Sequence, residues 1–456
     1  MIFKRKSLSI LALAIILTGC ASHESGFEDY PYQTLKQEYP VDKNYNINTS
    51  WWMNYHDAQL NQLVETALRN NIDLATGAIN VNQALYQANL VGADLAPTFS
   101  SSLGASASKN IKTGGNSTQN FQAGVNLSYT LDLWGRLRDS ASAAEWTYKA
   151  TGEDLEASKL TIINSVIDSY FHLKYLKEIR AINLDTLKNY QQIYNISLAK
   201  QKYGLVSDLD VVQSQQSIES TQNSINSLDL EIKTTEQTLK NILNYQPGNA
   251  IYLSQNSLLD TPLQNIDINI PVSTIANRPD LKADEYRLLS SFKDRTAVEK
   301  TIYPDITLGS ALNSSGNKFN NALNVPMASG NVSISLPFLD WNRVKNNIKI
   351  SQAQFEKTKL AFEKDIVAAL NEIDTYYYTY GNYTSNYKSV VKQYDNNKRI
   401  SSYYKARYDQ GIAEMSDWLN ALQSENNARQ SIVQAKYQLL SSENKVYQAM
   451  AGKYKK

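Results

Sequence analysis

Residues 121–132 read FQAGVNLSYTLD, and the alternation is unbroken. Phe121, Ala123, Val125, Leu127, Tyr129 and Leu131 fall on one side, while Gln122, Gly124, Asn126, Ser128, Thr130 and Asp132 fall on the other. Period two with one apolar and one polar face describes a strand lying between two different media. The stretch is long enough for a tilted strand to cross a bilayer, which takes about 9–11 residues. After Leu133-Trp134-Gly135-Arg136 the spacing turns helical and runs to about Tyr203 without a proline. As one helix that run is on the order of 100 Å long.

The same pattern recurs around this stretch. Residues 98–109 form a weaker, small-residue strand, and the polar, Gly-containing connection 109–119 makes 98–132 a hairpin. Upstream, Trp51-Trp52-Met53-Asn54-Tyr55-His56-Asp57 opens a helix striped by Leu60, Leu63, Val64, Ala67 and Leu68, and helix resumes over 80–90 until Pro97. Downstream, Leu160, Ile163, Ile167, Tyr170, Leu173 and Leu176 form a narrow seam suited to coiled-coil packing. Gly204 breaks the run, and Ser207 is the expected N-cap of a returning helix that reaches about Tyr245, with acids in its first turn.

The chain then repeats. Asn70, Asp73, Leu74, Pro97, Trp134, Arg136, Gly204 and Asp210 match Asn277, Asp280, Leu281, Pro304, Trp341, Arg343, Gly411 and Asp417, and the offset never drifts. A second hairpin follows: Ile306, Leu308 and Leu312 alternate with polar residues, as do Val332, Ile334, Leu336 and Phe338, across a connection at 314–330. The second long helix is seamed largely by tyrosines, among them Tyr377, Tyr380, Tyr383, Tyr387 and Tyr394, whose rings pack while their hydroxyls reach a partner. The divisions expected are a signal peptide at 1–19, an N-terminal extension at 20–50, a first repeat at 51–245, a linker at 246–262 and a second repeat at 263–456.

Composition narrows the classes. The 456 residues carry 45 basic and 44 acidic side chains, so no electrostatic case for nucleic acid exists. A mean hydropathy of −0.43 excludes a bundle of transmembrane helices but not a β-barrel, whose strands are half polar. Lys4, Arg5 and Lys6 precede a short apolar run that ends in Leu17-Thr18-Gly19-Cys20. This resembles the bacterial lipobox, which implies cleavage before Cys20 and a lipid on that residue. Ala21, rather than Asp, favours the outer membrane by resemblance to lipoprotein sorting rules.

One chain therefore offers four bilayer-length strands, which cannot close. An open edge in lipid leaves unpaired backbone groups at roughly several kcal/mol each. Two copies would make an eight-stranded barrel filled by its own side chains; three copies would make twelve strands around a lumen. The expected fold is thus mixed α and β: a trimeric 12-stranded transmembrane β-barrel, four strands per chain, continued by a long periplasmic α-helical barrel with an internal twofold repeat.

The order of these landmarks resembles the outer membrane factor (TolC-like) family in its lipidated efflux branch. The resemblance rests on the lipobox, Trp51-Trp52, Asn277-Arg278-Pro279-Asp280-Leu281, the junctions at Trp134-Gly135-Arg136 and Trp341-Asn342-Arg343, and the Gly-plus-acid tips. It implies a homotrimeric export duct that docks onto a periplasmic adaptor and an inner-membrane pump of the RND, MFS or ABC class. It also implies gating acids at Asp210 and Asp417, a gating tyrosine at Tyr408 that pairs with an acid of the first tip, and adaptor contact at Gly204 and Gly411. Ala413 and Asn420 depart from that pattern, so the closing network would be differently built. Helix-start acids favoured by the dipole are the plainer reading of Asp208, Asp210 and Asp417. Trp134 and Trp341 read as interfacial anchors or as packing at the strand–helix junction.

No catalytic motif is present: there is no GxSxG, GxxxxGK[ST], HExxH or GxGxxG. His23, His56 and His172 are scattered without metal-ligand spacing. The expectation is a channel, not an enzyme, with no cofactor or metal beyond the lipid on Cys20, passing drugs or other small toxic compounds. Alternatives are the duct of a type I protein or peptide secretion system, and a non-conducting structural coiled-coil lipoprotein.

Overall fold

The computed structural model describes residues 46–112, 114, 116–264, 266, 276–319 and 327–455. Cys20, the segment expected to be a signal peptide and most of the 20–50 extension lie outside them. The chain forms two compact units, one built from 81–145 and 296–345, the other from the segment up to residue 80 together with 146–295 and 346–455.

The first unit contains one antiparallel sheet. Its strands are β1 (Thr98–Ser108), β2 (Thr118–Leu131), β3 (Asp305–Gly316) and β4 (Met327–Ser335), in that spatial order. Residues directly opposite in an antiparallel pair point to the same face, so register decides whether the four alternations agree. They do. Leu131, Ile306 and Ile334 form one cross-strand row, Tyr129, Leu308 and Val332 the next, and Leu127 lies beside Phe99. On the other face run the rows Thr130–Thr307–Ser333 and Thr98–Ser128–Gly309–Asn331. The sheet is therefore apolar on one side and hydroxyl- and amide-rich on the other.

Two strand ends differ from the sequence pattern. β3 runs to Gly316 and β4 begins at Met327, so the connection between them is shorter than the alternation suggests. β4 also stops at Ser335 rather than Phe338, and a 3-10 turn occupies Pro337–Asp340. Pro337 has no N–H to give to a ladder and its fixed φ suits a helical first turn.

The strand-to-helix junction is pinned locally. Asp132 accepts from the backbone N–H groups of Leu137 and Arg138 at 3.0 and 3.1 Å, capping the next helix, while Gly135 supplies the left-handed φ of 75° that the turn requires. Arg136 reaches Asp305 at 3.1 Å, and Lys300 pairs with Asp139. Trp134 stacks on Tyr303 with ring centroids 4.9 Å apart and donates from Nε1 to the Pro304 carbonyl at 3.0 Å.

The helices are α1 (Ala58–Asn70), α2 (Ile72–Ala93), α3 (Arg136–Lys202), α4 (Asp208–Ile242), α5 (Pro279–Glu299), α6 (Trp341–Asp409) and α7 (Met415–Ala449). The expected helix at 51–57 is a 3-10 turn over Trp51–Tyr55, followed by α1 with Asp57 as its N-cap. α4 and α7 start and end at the same repeat offset as the sequence landmarks. One contact is repeated with different chemistry. Asn71 Nδ2 donates to the Ile242 carbonyl at the end of α4 at 2.9 Å, and its counterpart Arg278 donates from Nη1 to the Ala449 carbonyl at the end of α7 at 3.3 Å. Both side chains satisfy a carbonyl that a helix C-terminus leaves unpaired.

The main core of the second unit joins Trp51, Trp52 and Tyr55, the α1 stripe Leu60-Leu63-Val64-Ala67, and Ile163, Ile167, Tyr170 and Phe171 of α3, with Leu239 of α4 and Leu440 of α7. Tyr380 and Ile373 of α6 pack with Leu439 and Val446 of α7 in a second cluster.

Residues 246–264 run across these helices as a strap held by buried and half-buried polar groups. Lys240 Nζ donates to the Pro247 carbonyl, Lys174 Nζ to Ser254 Oγ, and Lys436 Nζ to the Thr261 carbonyl at 2.6 Å. Glu178 accepts from Ser257 Oγ and the Leu258 N–H, and Glu443 accepts from the Gln264 N–H. Burial pushes the Lys174 and Lys436 ammonium groups below their ordinary pKa.

Candidate functional site

Two features of the chain have the geometry to act: the amphipathic sheet and the two helical tips.

The sheet's apolar side is bare. Phe99 is 75% exposed, Leu103 80%, Leu312 51% and Val332 65%. A patch of this extent on one face of a sheet marks a surface made for another apolar medium. The outer edges of β1 and β4 pair with no strand among the described residues. No helix of the described chain is long and apolar enough to cross a membrane, so the sheet is the element suited to lipid.

At the first tip, α3 ends in a Schellman turn. The Gly204 N–H donates to the Gln201 carbonyl at 2.8 Å and the Leu205 N–H to the Lys200 carbonyl at 3.0 Å, with Gly204 at φ 67°. The second tip repeats this motif with Gly411 at φ 72° and the bonds Gly411 to Tyr408 and Ile412 to Arg407, both 2.9 Å. Gly204 and Gly411 hold the left-handed positions that the turns demand, and both are exposed.

Asp210 lies three residues into α4 and folds back on its cap: its Oδ2 accepts from the Ser207 backbone N–H at 2.9 Å and from Ser207 Oγ at 2.8 Å. Asp208 accepts from Gln201 Nε2 at 2.9 Å. Asp417 lies in the first turn of α7 and is exposed, with Glu414 as the N-cap.

Tyr408, near the end of α6, is held by a base. Lys200 Nζ donates to its hydroxyl at 2.7 Å and lies 4.3 Å from its ring centroid, and the ring stacks on Trp418 of α7 at 5.2 Å. Within the chain, then, Tyr408 is tied to α3 through Lys200 and not through an acid of the first tip. In the same tips Asp210 is engaged by Ser207 and Asp208 by Gln201. Lys200 and Trp418 are the tip residues that sequence reasoning missed. Trp418 stands next to Asp417 in the chain and was the available signal; nothing in the sequence marked Lys200. Beneath them Tyr190, Ile193, Met415 and Leu419 form a small core that joins α3 to α7.

Of the described histidines, His56 is exposed and closes the 3-10 turn in a left-handed conformation, while the His172 ring stacks on Tyr175 and lies tilted against Tyr437.

An open amphipathic sheet in a chain of twice-repeated long helix pairs defines a membrane-inserting export channel of the outer membrane type. The comparisons agree. A family model described as outer membrane efflux protein matches residues 63–245 and 270–452. Toxin and drug export protein A of Aggregatibacter actinomycetemcomitans is 45% identical over 99% of this chain and 98% of its own. The probable outer membrane lipoprotein SilC of Salmonella typhimurium is 25% identical over 99% of both chains. Among solved structures, the Campylobacter jejuni CmeC outer membrane channel superposes with a TM-score of 0.83 at 25% identity, covering 92% of this chain and 91% of that one. The open state of the Neisseria gonorrhoeae MtrE channel shares the fold, with a TM-score of 0.80 at 21% identity over 92% and 95% of the two chains. The chain belongs to the outer membrane efflux protein family, and it is an outer membrane efflux channel protein.

Proposed function

We infer that three copies of this chain close into one duct, and that the duct carries drugs or other small toxic compounds from an inner-membrane pump and its periplasmic adaptor to the outside. One observation carries the reading: a four-stranded sheet with a bare apolar face and two unpaired outer edges. Such an edge in lipid is costly enough that closure by further copies is the stable solution. Three copies put twelve strands around a bore lined by the polar face. The duct works without catalysis or cofactor, and the pump supplies the energy. Cys20 carries the lipid that holds the N-terminus to the outer membrane.

At the tips, the Gly204 and Gly411 turns present Leu205 and Ile412, 71% and 60% exposed, as the apolar surface for adaptor contact. Asp210, Asp417 and Tyr408 contribute to closing the entrance, with Lys200 and Trp418 as the partners that fix Tyr408.

The 45% identical relative is a toxin and drug export protein. It supports a second reading, in which the same duct also serves a secretion pump for a protein toxin. Deleting the gene and assaying drug sensitivity and toxin release separately tells the two apart.

The central test is assembly. Native mass spectrometry of the mature protein in detergent gives a mass of three chains, and planar bilayers show discrete conductance steps. A protein that stays monomeric and leaves bilayers silent overturns the reading.

A further inference from the structure

The polar face of the sheet carries a pattern that closure does not require. Each of the three strand pairings sets a glycine opposite a side-chain amide: Gly104 opposite Gln122, Gly124 opposite Asn313, and Gly309 opposite Asn331. In two of these the amide occupies the space that the glycine leaves. A Cβ on Gly124 would stand 2.6 Å from Asn313 Oδ1 and 3.4 Å from Ser102 Oγ, and one on Gly309 would collide with Asn331 Oδ1 and stand 3.1 Å from its Nδ2. Glycine inside a strand weakens it and marks close approach by another group. Here that group is the amide of the neighbouring strand, which lies flat across the wall instead of standing off it.

The rest of the face is also without charge. Across all four strands the one charged residue is Asp305, at the first position of β3, where Arg136 pairs with it at 3.1 Å.

The geometry points to Asn313 and Asn331 as the residues that set what the bore of the barrel presents to its cargo. They make a neutral wall of amides that does not sort solutes by charge, and Gly124 and Gly309 hold those amides back from the passage. This rests on the duct reading above, in which the polar face lines the bore. A neutral hydrogen-bonding lining offers no ring of charge for an ion to bind, so any charge selection by the duct belongs to residues outside the four strands.

The test uses the full mature chain in planar bilayers, with the trivalent cobalt hexaammine cation added on the side where the strand-connecting hairpins open. Wild-type channels stay unblocked from that side. Asn313→Asp with Asn331→Asp places carboxylates at the wall, and the cation then blocks from the hairpin side. Adding Gly124→Ala to Asn313→Asp lifts the carboxylate off the wall and shifts the block to lower concentration. For assembly-defective variants, Asn331→Cys labelled after assembly with a sulfonate-bearing thiol reagent installs the same charge, since Cys20 is the one native cysteine. Block of the wild type, indifference of the Asp or sulfonate channels, or an unmoved blocking concentration in the Gly124→Ala channel each overturns the inference. A wild type that forms no channel sinks the duct reading instead.

Discussion

Glu443→Ala is the substitution whose cost the structure states most directly. Glu443 is wholly buried. Its Oε2 accepts from the Tyr55 hydroxyl at 3.2 Å, and its Oε1 accepts from the Gln264 backbone N–H at 2.6 Å. Burial first, and then the Glu443 carboxylate, hold the Tyr55 phenol well above its ordinary pKa, so it remains a donor across the physiological range. Alanine removes both acceptors. Each buried donor left without a partner costs about 1–3 kcal/mol, and the cavity adds about 1–2 kcal/mol. The sum, about 3–8 kcal/mol, brackets the usual cost of breaking a buried charged network. Glu443→Gln keeps one carbonyl oxygen for the Gln264 N–H and gives the Tyr55 oxygen an amide to accept from, so its cost is about 1 kcal/mol. With an unfolding entropy of about 2.1 cal/mol/K per residue, 1 kcal/mol moves the midpoint of a chain this long by about 1 °C. Circular-dichroism melts in detergent at one scan rate should therefore place the alanine variant about 3–8 °C below wild type and the glutamine variant about 1 °C below. Limited proteolysis should cut the 246–264 strap sooner in the alanine variant alone. If the two variants melt together, or if the strap is equally protected in both, the carboxylate is not the clamp.

Acid stability should depend on Asp57. Burial alone would raise its carboxyl, but hydrogen bonds from Tyr170, Ser254 and the Leu60 N–H, with Lys174 nearby, outweigh it and hold the group below the ordinary carboxylate value of 3.8. A lowered folded-state pKa contributes stability that is full above the ordinary value and is lost as pH falls through the folded one. Asp57→Asn thus flattens the fall of the melting midpoint below about pH 4, and a curve parallel to wild type counts against the assignment. On the sheet, Leu312→Arg puts a charge on the lipid side at about 2–4 kcal/mol per chain and abolishes assembly. Asn313→Arg, one residue on and on the opposite face, leaves trimer yield intact on native gels. At the tips, Asp210→Ala with Asp417→Ala raises single-channel conductance, whereas unchanged conductance argues against a gate there. Because Asp210 also caps α4, at about 1 kcal/mol, Asp417→Ala alone separates gating from fraying of the tip helix.

Some of this was legible in the amino-acid order. The alternation of Phe121–Leu131 and the seams of the first long helix are local periodicities, and they predicted β2 and α3 to within a few residues, while the break at Gly204 and the turn after Tyr245 bounded α4. Ser207 stands at the N-cap of α4, as expected, with Asp208 and Asp210 in the first turn. The ends of β3 and β4 were less legible, because alternation continues through Phe338 while Pro337 withholds the N–H that a ladder needs.

What the sequence determined alone is the set of elements, their repetition and the two-faced character of the strands, since each depends on neighbours a few residues apart. What only the tertiary structure decided is partnership. Tyr408 is held by Lys200, the 246–264 strap is held by Glu443 and three buried lysines, and Asn313 and Asn331 lie over Gly124 and Gly309. These groups stand far apart in the chain, and a lone lysine, glutamate or asparagine carries no local sign of the group it will meet. Hydrogen bonding and close packing assign those partners only once the helices and strands have brought them together.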